Sequence, residues 1–329
     1  MSLRFVVATT LSFVIAFTPC VSMAQKAASD TKTLERNIRA ELGFLASDAM
    51  QGRGSGSGYE RLAAEYIGSQ FRQFGLEPGG DTATTGQQSF VQRAVLSATV
   101  TWNAVGLLRG SDPTAAKEAI ILSAHLDHLG TTENAAPGTD AIFNGADDDA
   151  SGCVAVLELA RALASGKRPN RTIYFICFGS EERGGYGAQY FVAHSPIALE
   201  QIVADVTFEM LGRPDSKVPA NTLWLTGYER STLGPELAKH GALLVADPHP
   251  QENFFQRSDN YTLALRGVVA HTVSSFGLHT DYHRPSDDIS KIDFGFMTRA
   301  IVSLIKPIRW LADSAFKPAW LPGKMPTRG

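Results

Sequence analysis

The stretch NGADDDASG sets three carboxylates side by side, Asp147, Asp148 and Asp149, with no basic residue adjacent. Like charges this close repel, so solvent, calcium or a transition metal must compensate them. Other candidates for chemistry come in short clusters: His125, Asp127 and His128 in HLDH, Glu181 and Glu182 in GSEERGG, Glu209 in FEM, and His279 and His283 in GLHTDYHRPSDD. Imidazole and carboxylate together suit zinc, and also cobalt or manganese. His125 reads as a ligand, with Asp127, two residues on along an extended chain, returning to orient its ring. His128 reads as a neighbour. Asp147, just before a predicted helix, has two oxygens with which to bridge two ions, and two divalent cations would invert the repulsion of the acidic triplet. Glu181 and Glu182 are adjacent and cannot both face one ion in the same way. One of them binds metal and the other is free for proton transfer.

A calcium loop fits the spacing but not the context. Counting from Asp147, positions 1, 3 and 5 are Asp147, Asp149 and Ser151, position 6 is Gly152 and position 12 is Glu158, which follows the EF-hand pattern. An EF-hand needs an entering helix, and NAAPGTDAIFNGA places Pro and Gly there. From residue 153 onward it needs an irregular loop, whereas Cys153, Val156, Leu157, Ala160 and Leu163 recur at helical spacing. GRGSGSG around Ser55 matches neither a nucleophile elbow nor a dinucleotide fingerprint and reads as a flexible turn, and GSEERGGYG lacks the Lys and Ser/Thr of a phosphate loop.

The elements that must carry these residues are short apolar runs separated by helical stretches. Runs over 119–124, 172–179, 202–208, 222–226 and 267–273 are near-continuously apolar, as strands covered on both faces are. Helical patterns occupy 31–46, a segment from Ser57 with Glu60 spaced as a capping box, 152–165, 186–194, 231–240 and 296–313, the last with an internal Pro307. This alternation predicts an α/β protein, a three-layer α/β/α sandwich around a mixed, mostly parallel sheet. His125 and Asp127, Glu181 and Glu182, and Glu209 then all emerge at the carboxyl ends of strands, where open α/β sheets bind their ligands.

The 329 residues are 44% hydrophobic and 19% charged, enough for a sizeable core. A net charge of −3 and the lack of a Lys/Arg run argue against nucleic acid and anionic membranes as partners. The N-terminus reads as a secretory signal, with Arg4, the apolar run FVVATTLSFVIAF and small residues at Ser22 and Ala24. Residues 1–24 are expected to be removed and the rest exported to the periplasm or beyond, with no membrane association afterwards. The apolar run falls short of the ~20 residues that a span needs. The two cysteines beyond it, Cys153 and Cys177, sit in apolar runs and are expected to be buried free thiols.

SAHLDHLG, NGADDDASG, GSEERGGYGAQYF, FEMLG and GLHTDYHRPSDD, in this order, resemble metallopeptidase family twenty-eight, the co-catalytic di-zinc aminopeptidases. LASDAMQGRGSGSGYERLAAEYI also looks like the family's N-terminal segment. The resemblance covers about residues 35–315 and implies one zinc-dependent exopeptidase domain over 25–329 without a protease-associated insert. Carried over by position, His125, Asp147 and Glu209 would hold one zinc and Asp147, Glu182 and His283 the other. Glu181 would be the general base and acid, Asp127 would orient His125, and the Asp147–Asp148 peptide bond would be cis. Glu209 stands where the family often has Asp. Such a site implies removal of N-terminal residues from short peptides with a free N-terminus. Tyr282 is a candidate donor to the oxyanion, and Phe254, Phe255 and Phe276 are candidates for a side-chain pocket. The alternatives within the fold are a carboxypeptidase, which would use Arg183, Arg257 or Arg284 on a substrate carboxylate, and a glutaminyl cyclase, which resembles this fold with one zinc. An inactive binding protein is the alternative from another class; every ligand position and Glu181 hold a competent residue.

Overall fold

The computed structural model describes residues 20–327, apart from 83, 97 and 133. Most of the expected leader, residues 1–19, lies outside the described residues, and its last residues open the first helix. No helix among the described residues is long and apolar enough to cross a membrane.

Among the described residues, eleven strands run β1 Glu77–Pro78, β2 Val91–Leu96, β3 Thr99–Leu108, β4 Ala119–His125, β5 Gly130–Thr131, β6 Ile142–Phe143, β7 Thr172–Phe178, β8 Ile202–Glu209, β9 Leu223–Leu225, β10 Leu244–Ala246 and β11 Ala270–Ser274. The helices are α1 Cys20–Leu45, α2 Gly58–Gln73, α3 Gly152–Ala164, α4 Tyr186–Ala193, α5 Leu233–Lys239, α6 Asn260–Ala264 and α7 Phe294–Asp313. Nine strands form one sheet in the order β1-β3-β7-β4-β8-β11-β9-β10, with β2 on β3, and β5 and β6 pair separately. The centre, β7-β4-β8-β11, is parallel. β3 joins β7 antiparallel, and β9 joins β11 antiparallel. The mixed α/β sandwich is therefore as expected, with parallel pairing in the middle and again at the β9–β10 edge. The hairpin β2–β3 was not among the expected strands. Its residues are interrupted by Gln92, Arg93, Thr101 and Asn103, which break the apolar run that marks the central strands.

Both faces of the sheet are covered, and each strand feeds two cores in alternation. In β4, Ile120, Leu122 and Ala124 pack with Ile38 and Leu42 of α1, Val156 of α3 and Ile301 of α7. Ala119 and Ile121 point the other way, toward Phe191 of α4 and Leu263 of α6. Truncating a fully buried ring at this level, such as Phe175 on β7, costs about 3–5 kcal/mol. α2 is capped as its sequence suggests, Ser57 accepting from the amides of Tyr59 and Glu60. The Glu60 carboxylate reaches back to Gly56 N rather than to the cap residue. Cys153 and Cys177 are buried free thiols.

One charged side chain sits inside the parallel sheet. Asp205 of β8 is fully buried and accepts from Ser123 Oγ at 2.8 Å and Thr207 Oγ1 at 2.9 Å. Burial outweighs these two hydrogen bonds and pushes its pKa up to about 7. The folded protein therefore holds this proton where the unfolded chain, at its ordinary value of 3.8, has released it. Stability drawn from this site is full below pH ~4 and is lost as pH rises toward ~7. Asp205→Asn removes that dependence, so its melting temperature relative to the parent rises from pH 4.5 to pH 7.5. A difference that stays constant between those pH values refutes the assignment.

Candidate metal centre

The carboxyl ends of the parallel strands converge. His125 is the last residue of β4, Glu209 the last of β8, and Glu181 and Glu182 follow β7 after Gly179 and Ser180. His125 lies opposite Phe178 in the β4–β7 register and Glu209 opposite Ser274 in the β8–β11 register, so the four strands end at one level. His279 and His283 come from the loop after β11.

The acidic triplet enters as a tight turn, Ala146–Ser151, directly before α3. Its three carboxylates leave in three directions. Asp147 accepts from Gly212 N at 2.7 Å and meets His279 Nε2 at 3.0 Å. Asp149 accepts from Gly152 N and Met210 N at 3.0 Å each and from His125 N at 3.2 Å, tying α3 to the ends of β4 and β8. Asp148 faces the cluster. Its Oδ1 lies 3.2 Å from His125 Nε2, and its Oδ2 lies 3.2 Å from His283 Nε2. The structure thus turns Asp148, rather than the expected Asp147, toward the cluster, and the cis peptide bond lies at Asp148–Asp149 rather than at Asp147–Asp148. The physical cause is the turn. Asp148 and Asp149 depart from helical backbone angles, and Asp287 takes the amides of both Asp147 (3.1 Å) and Asp148 (3.1 Å) from behind. Gly152 has no side chain to spare here, since a Cβ would strike the Phe208 carbonyl and the Asp149 carboxylate.

Among the described residues, two groups bring ligand atoms within 4.8 Å of one another: His125, Asp148 and Glu209, and His128, Asp148 and Glu182. Asp148 belongs to both. His283 Nε2 also lies 3.2 Å from Glu182 Oε2, so two imidazoles face the second group. His128 Nδ1 is hydrogen-bonded to Glu182 Oε1 at 2.8 Å. Asp127 is fully buried and near His125, 3.7 Å from Nδ1. That ring nitrogen is closer to the Asp127 main-chain oxygen, at 3.2 Å. The Asp127 carboxylate instead accepts from Glu181 N at 3.0 Å and Glu182 N at 3.4 Å, and takes the Ser55 hydroxyl.

The donor set fits a borderline divalent cation, with imidazole nitrogen and carboxylate oxygen and no thiolate. Buried polar atoms ordinarily find partners. Here Nε2 of His125, His128 and His283, Oδ2 of Asp148 and Oε2 of Glu209 have no hydrogen-bond partner among the described residues. The 3.2 Å approaches between them are close without being hydrogen bonds, as expected of groups arranged around a shared ion.

Electrostatics agree. Burial opposes the His125 imidazolium, yet the Asp127 and Asp148 carboxylates hold its pKa well above the ordinary value. The same holds for His283, where Asp148 and Glu182 overcome burial and raise it to about 10. Burial would raise Asp148, but His125 and His283 draw it well below the usual carboxylate range. Glu181 goes the other way. Burial lifts it, His125 lowers it, and the charges of Glu209, Asp259 and Glu182 add to the rise, leaving it well above normal. A site that binds protons this eagerly on its imidazoles favours positive charge.

Asp148, Glu181, Glu182 and Glu209 line a cleft whose other wall is Met210, Phe254, Arg257, Phe276 and Tyr282. Of the three phenylalanines considered from sequence, Phe254 and Phe276 belong to this wall. Phe255 turns into the core behind α6 against His271 and Trp320. Tyr282 stacks on His283 with ring centroids 3.9 Å apart. Sequence reasoning missed the part played by Asp149, Asp287, Arg53, Ser55 and Glu60; they lie within the quoted motifs, but they hold backbone amides and carbonyls or, for Ser55, the Asp127 carboxylate.

The model of peptidase family M28 matches residues 103–305, and the chain belongs to that family. Leupeptin-inactivating enzyme 1 of Streptomyces exfoliatus is 27% identical over 184 residues, 54% of this chain and 36% of its own length. The match thus spans about a third of that relative. In fold the chain is similar to the aminopeptidase from Aneurinibacillus sp. strain AM-1, with a TM-score of 0.64, 16% identity, and coverage of 91% of this chain and 99% of the other. It is also similar to the glutaminyl cyclase of Porphyromonas gingivalis, with a TM-score of 0.59, 17% identity and coverage of 84% and 97%.

Replacing the two neighbouring aspartates separately tests the register. Asp148→Asn is expected to leave the dialysed protein with almost no bound zinc. Asp147→Asn, which touches ligands only indirectly, is expected to weaken metal binding by no more than about 100-fold. Elemental analysis and competition with a chelator measure both, and the reverse pattern would return the ligand role to Asp147.

Proposed function

We propose that this chain is a two-metal aminopeptidase that removes N-terminal residues from short peptides. The observation that carries this reading is the position of Asp148 between two ligand groups, each with its own histidine and glutamate. His125, Asp148 and Glu209 would hold one zinc, and Asp148, Glu182 and His283 the other, with His128 orienting Glu182. Co2+ or Mn2+ would substitute. When bound, the ions supply Lewis acidity for the attacking water and the scissile carbonyl.

The chain's own residues do the rest. Glu181 takes the proton of the attacking water on its carboxylate and hands it to the departing amine. Asp127 fixes the backbone of Glu181 and Glu182 and stands beside His125. Burial and the charges of Asp148 and Glu209 raise the Tyr282 pKa, so its phenol stays protonated and can donate to the developing oxyanion. The negative cluster attracts the substrate's terminal ammonium. Met210, Phe254, Phe276 and Tyr282 offer the first side chain an apolar, aromatic wall, which favours Leu, Met and Phe over charged residues. The signal-like N-terminus supports export of a single exopeptidase domain after loss of residues 1–24.

Hydrolysis of an aminoacyl-p-nitroanilide panel tests this reading. Leu-, Met- and Phe-nitroanilides should be cleaved, N-acetylated forms should not, and chelation should abolish cleavage until zinc is restored. Glu181→Gln should keep its zinc and lose about 10²- to 10⁴-fold in kcat. A zinc-loaded protein that cleaves no free-amine substrate sinks the reading and favours C-terminal substrates or cyclisation of N-terminal glutamine.

A further inference from the structure

We propose that the short segment Arg53–Glu60, a plain glycine–serine turn in sequence, is a positioning platform that locks every loop carrying a metal-site residue except the one bearing His283. The proposal rests on the metal-centre reading for its consequence, but its structural basis stands apart from it.

Arg53 is an almost fully buried arginine without a carboxylate partner among the described residues, and its guanidinium is spent on backbone. Nε donates to the Leu126 carbonyl at 2.9 Å, between His125 and Asp127. Nη1 and Nη2 donate to the carbonyls of Asn144 at 2.7 Å and Gly145 at 2.9 Å, where the chain turns into the acidic triplet. A second Nη1 bond, 2.6 Å to Leu45 O, anchors the group to the end of α1. One side chain therefore spans the loop of His125 and the loop of Asp148. Its own carbonyl accepts from His128 N at 3.2 Å.

Two residues on, the Ser55 hydroxyl donates to Asp127 Oδ2, the carboxylate that also receives the amides of Glu181 and Glu182. Glu60, fully buried at the start of α2, accepts from Ser180 N at 2.8 Å and Ser180 Oγ at 3.0 Å, as well as from Thr101 Oγ1 at 2.7 Å. Ser180 has a positive φ of 54°, a conformation that needs support, and it directly precedes Glu181. The approach is tight enough to dictate residue type. Gly52 has a φ of 67°, and a Cβ there would overlap the carbonyls of Gly130 and Phe143. Together Arg53, Ser55 and Glu60 reach the loops after β4, before α3 and after β7. Fixing the supports of ligands is worth about 10- to 100-fold in metal affinity or activity at comparable sites.

Ser55→Ala is the cleanest test, since it deletes one hydroxyl and leaves the fold's packing alone. In the metal-free protein, the amides of Glu181 and Glu182 should exchange with solvent about tenfold faster or more, while amides of the β7 core exchange as in the parent. In the zinc-loaded protein, kcat for the preferred nitroanilide should fall about 10- to 100-fold with KM unmoved. Ser55→Thr, which keeps the hydroxyl, should restore both. Parental exchange at Glu181 and Glu182 in folded Ser55→Ala overturns the proposal, and so does faster exchange with parental kcat. The exchange arm needs neither metal nor turnover. A parent that cleaves nothing would therefore end the aminopeptidase reading while the exchange result still decides this one.

Discussion

Mutual repulsion among carboxylates gathered at one end of a sheet is the constraint on which this structure depends. Burying one unpaired carboxylate is costly, and burying several together is more so. The protein divides the load by giving each acid a different partner. Asp149 and Asp287 take backbone amides, Asp147 takes an amide and His279, and Asp127 takes two amides and a serine. Asp148, Glu182 and Glu209 are left facing imidazoles and one another, and Oδ2 of Asp148 and Oε2 of Glu209 have no hydrogen-bond partner among the described residues. The acids that are not needed for binding are thereby converted into staples for those that are.

The sheet makes such a gathering possible. Parallel strands point their carboxyl ends the same way, so β4, β7, β8 and β11 deliver His125, Glu181 and Glu182, Glu209 and the histidine loop to one edge without any long excursion of the chain. Apolar residues alternate between two cores along the same strands, which makes each strand's rise and register stiff. A side chain at the last residue of such a strand, as those of His125 and Glu209 are, inherits that stiffness. Residues on loops do not, and their loops are held by side-chain to backbone hydrogen bonds from Arg53, Glu60 and Asp287 and by the Ser55 hydroxyl on the Asp127 carboxylate.

The cleft combines this polar floor with an aromatic wall. Phe254 stacks against Trp224, and Phe276 contacts both Phe254 and Tyr282. Behind them, His249 and Asp215 form a buried 2.7 Å pair that joins the loop after β8 to the loop after β10. An apolar wall against a charged floor suits a ligand with one charged end and one greasy side chain.

By itself the sequence determined the architecture and the cast. Runs of near-continuous apolarity located the central strands to within a few residues, because a strand covered on both faces has few polar positions to disguise it. That His125, Glu181, Glu182, Glu209 and His283 would come together at one edge of the sheet was legible because each follows a strand end or sits in a distinctive loop. The flanking hairpin β2–β3 escaped, because Gln92, Arg93, Thr101 and Asn103 interrupt the apolar pattern. Which of three adjacent aspartates faces the metal cluster was decided by tertiary structure alone. Asp147, Asp148 and Asp149 are chemically identical in sequence, and a one-residue change in a turn redirects every side chain in it. The platform formed by Arg53, Ser55 and Glu60 was likewise invisible. Much of its work is done through backbone carbonyls and amides, up to about 120 residues away along the chain, and these leave no trace in residue type.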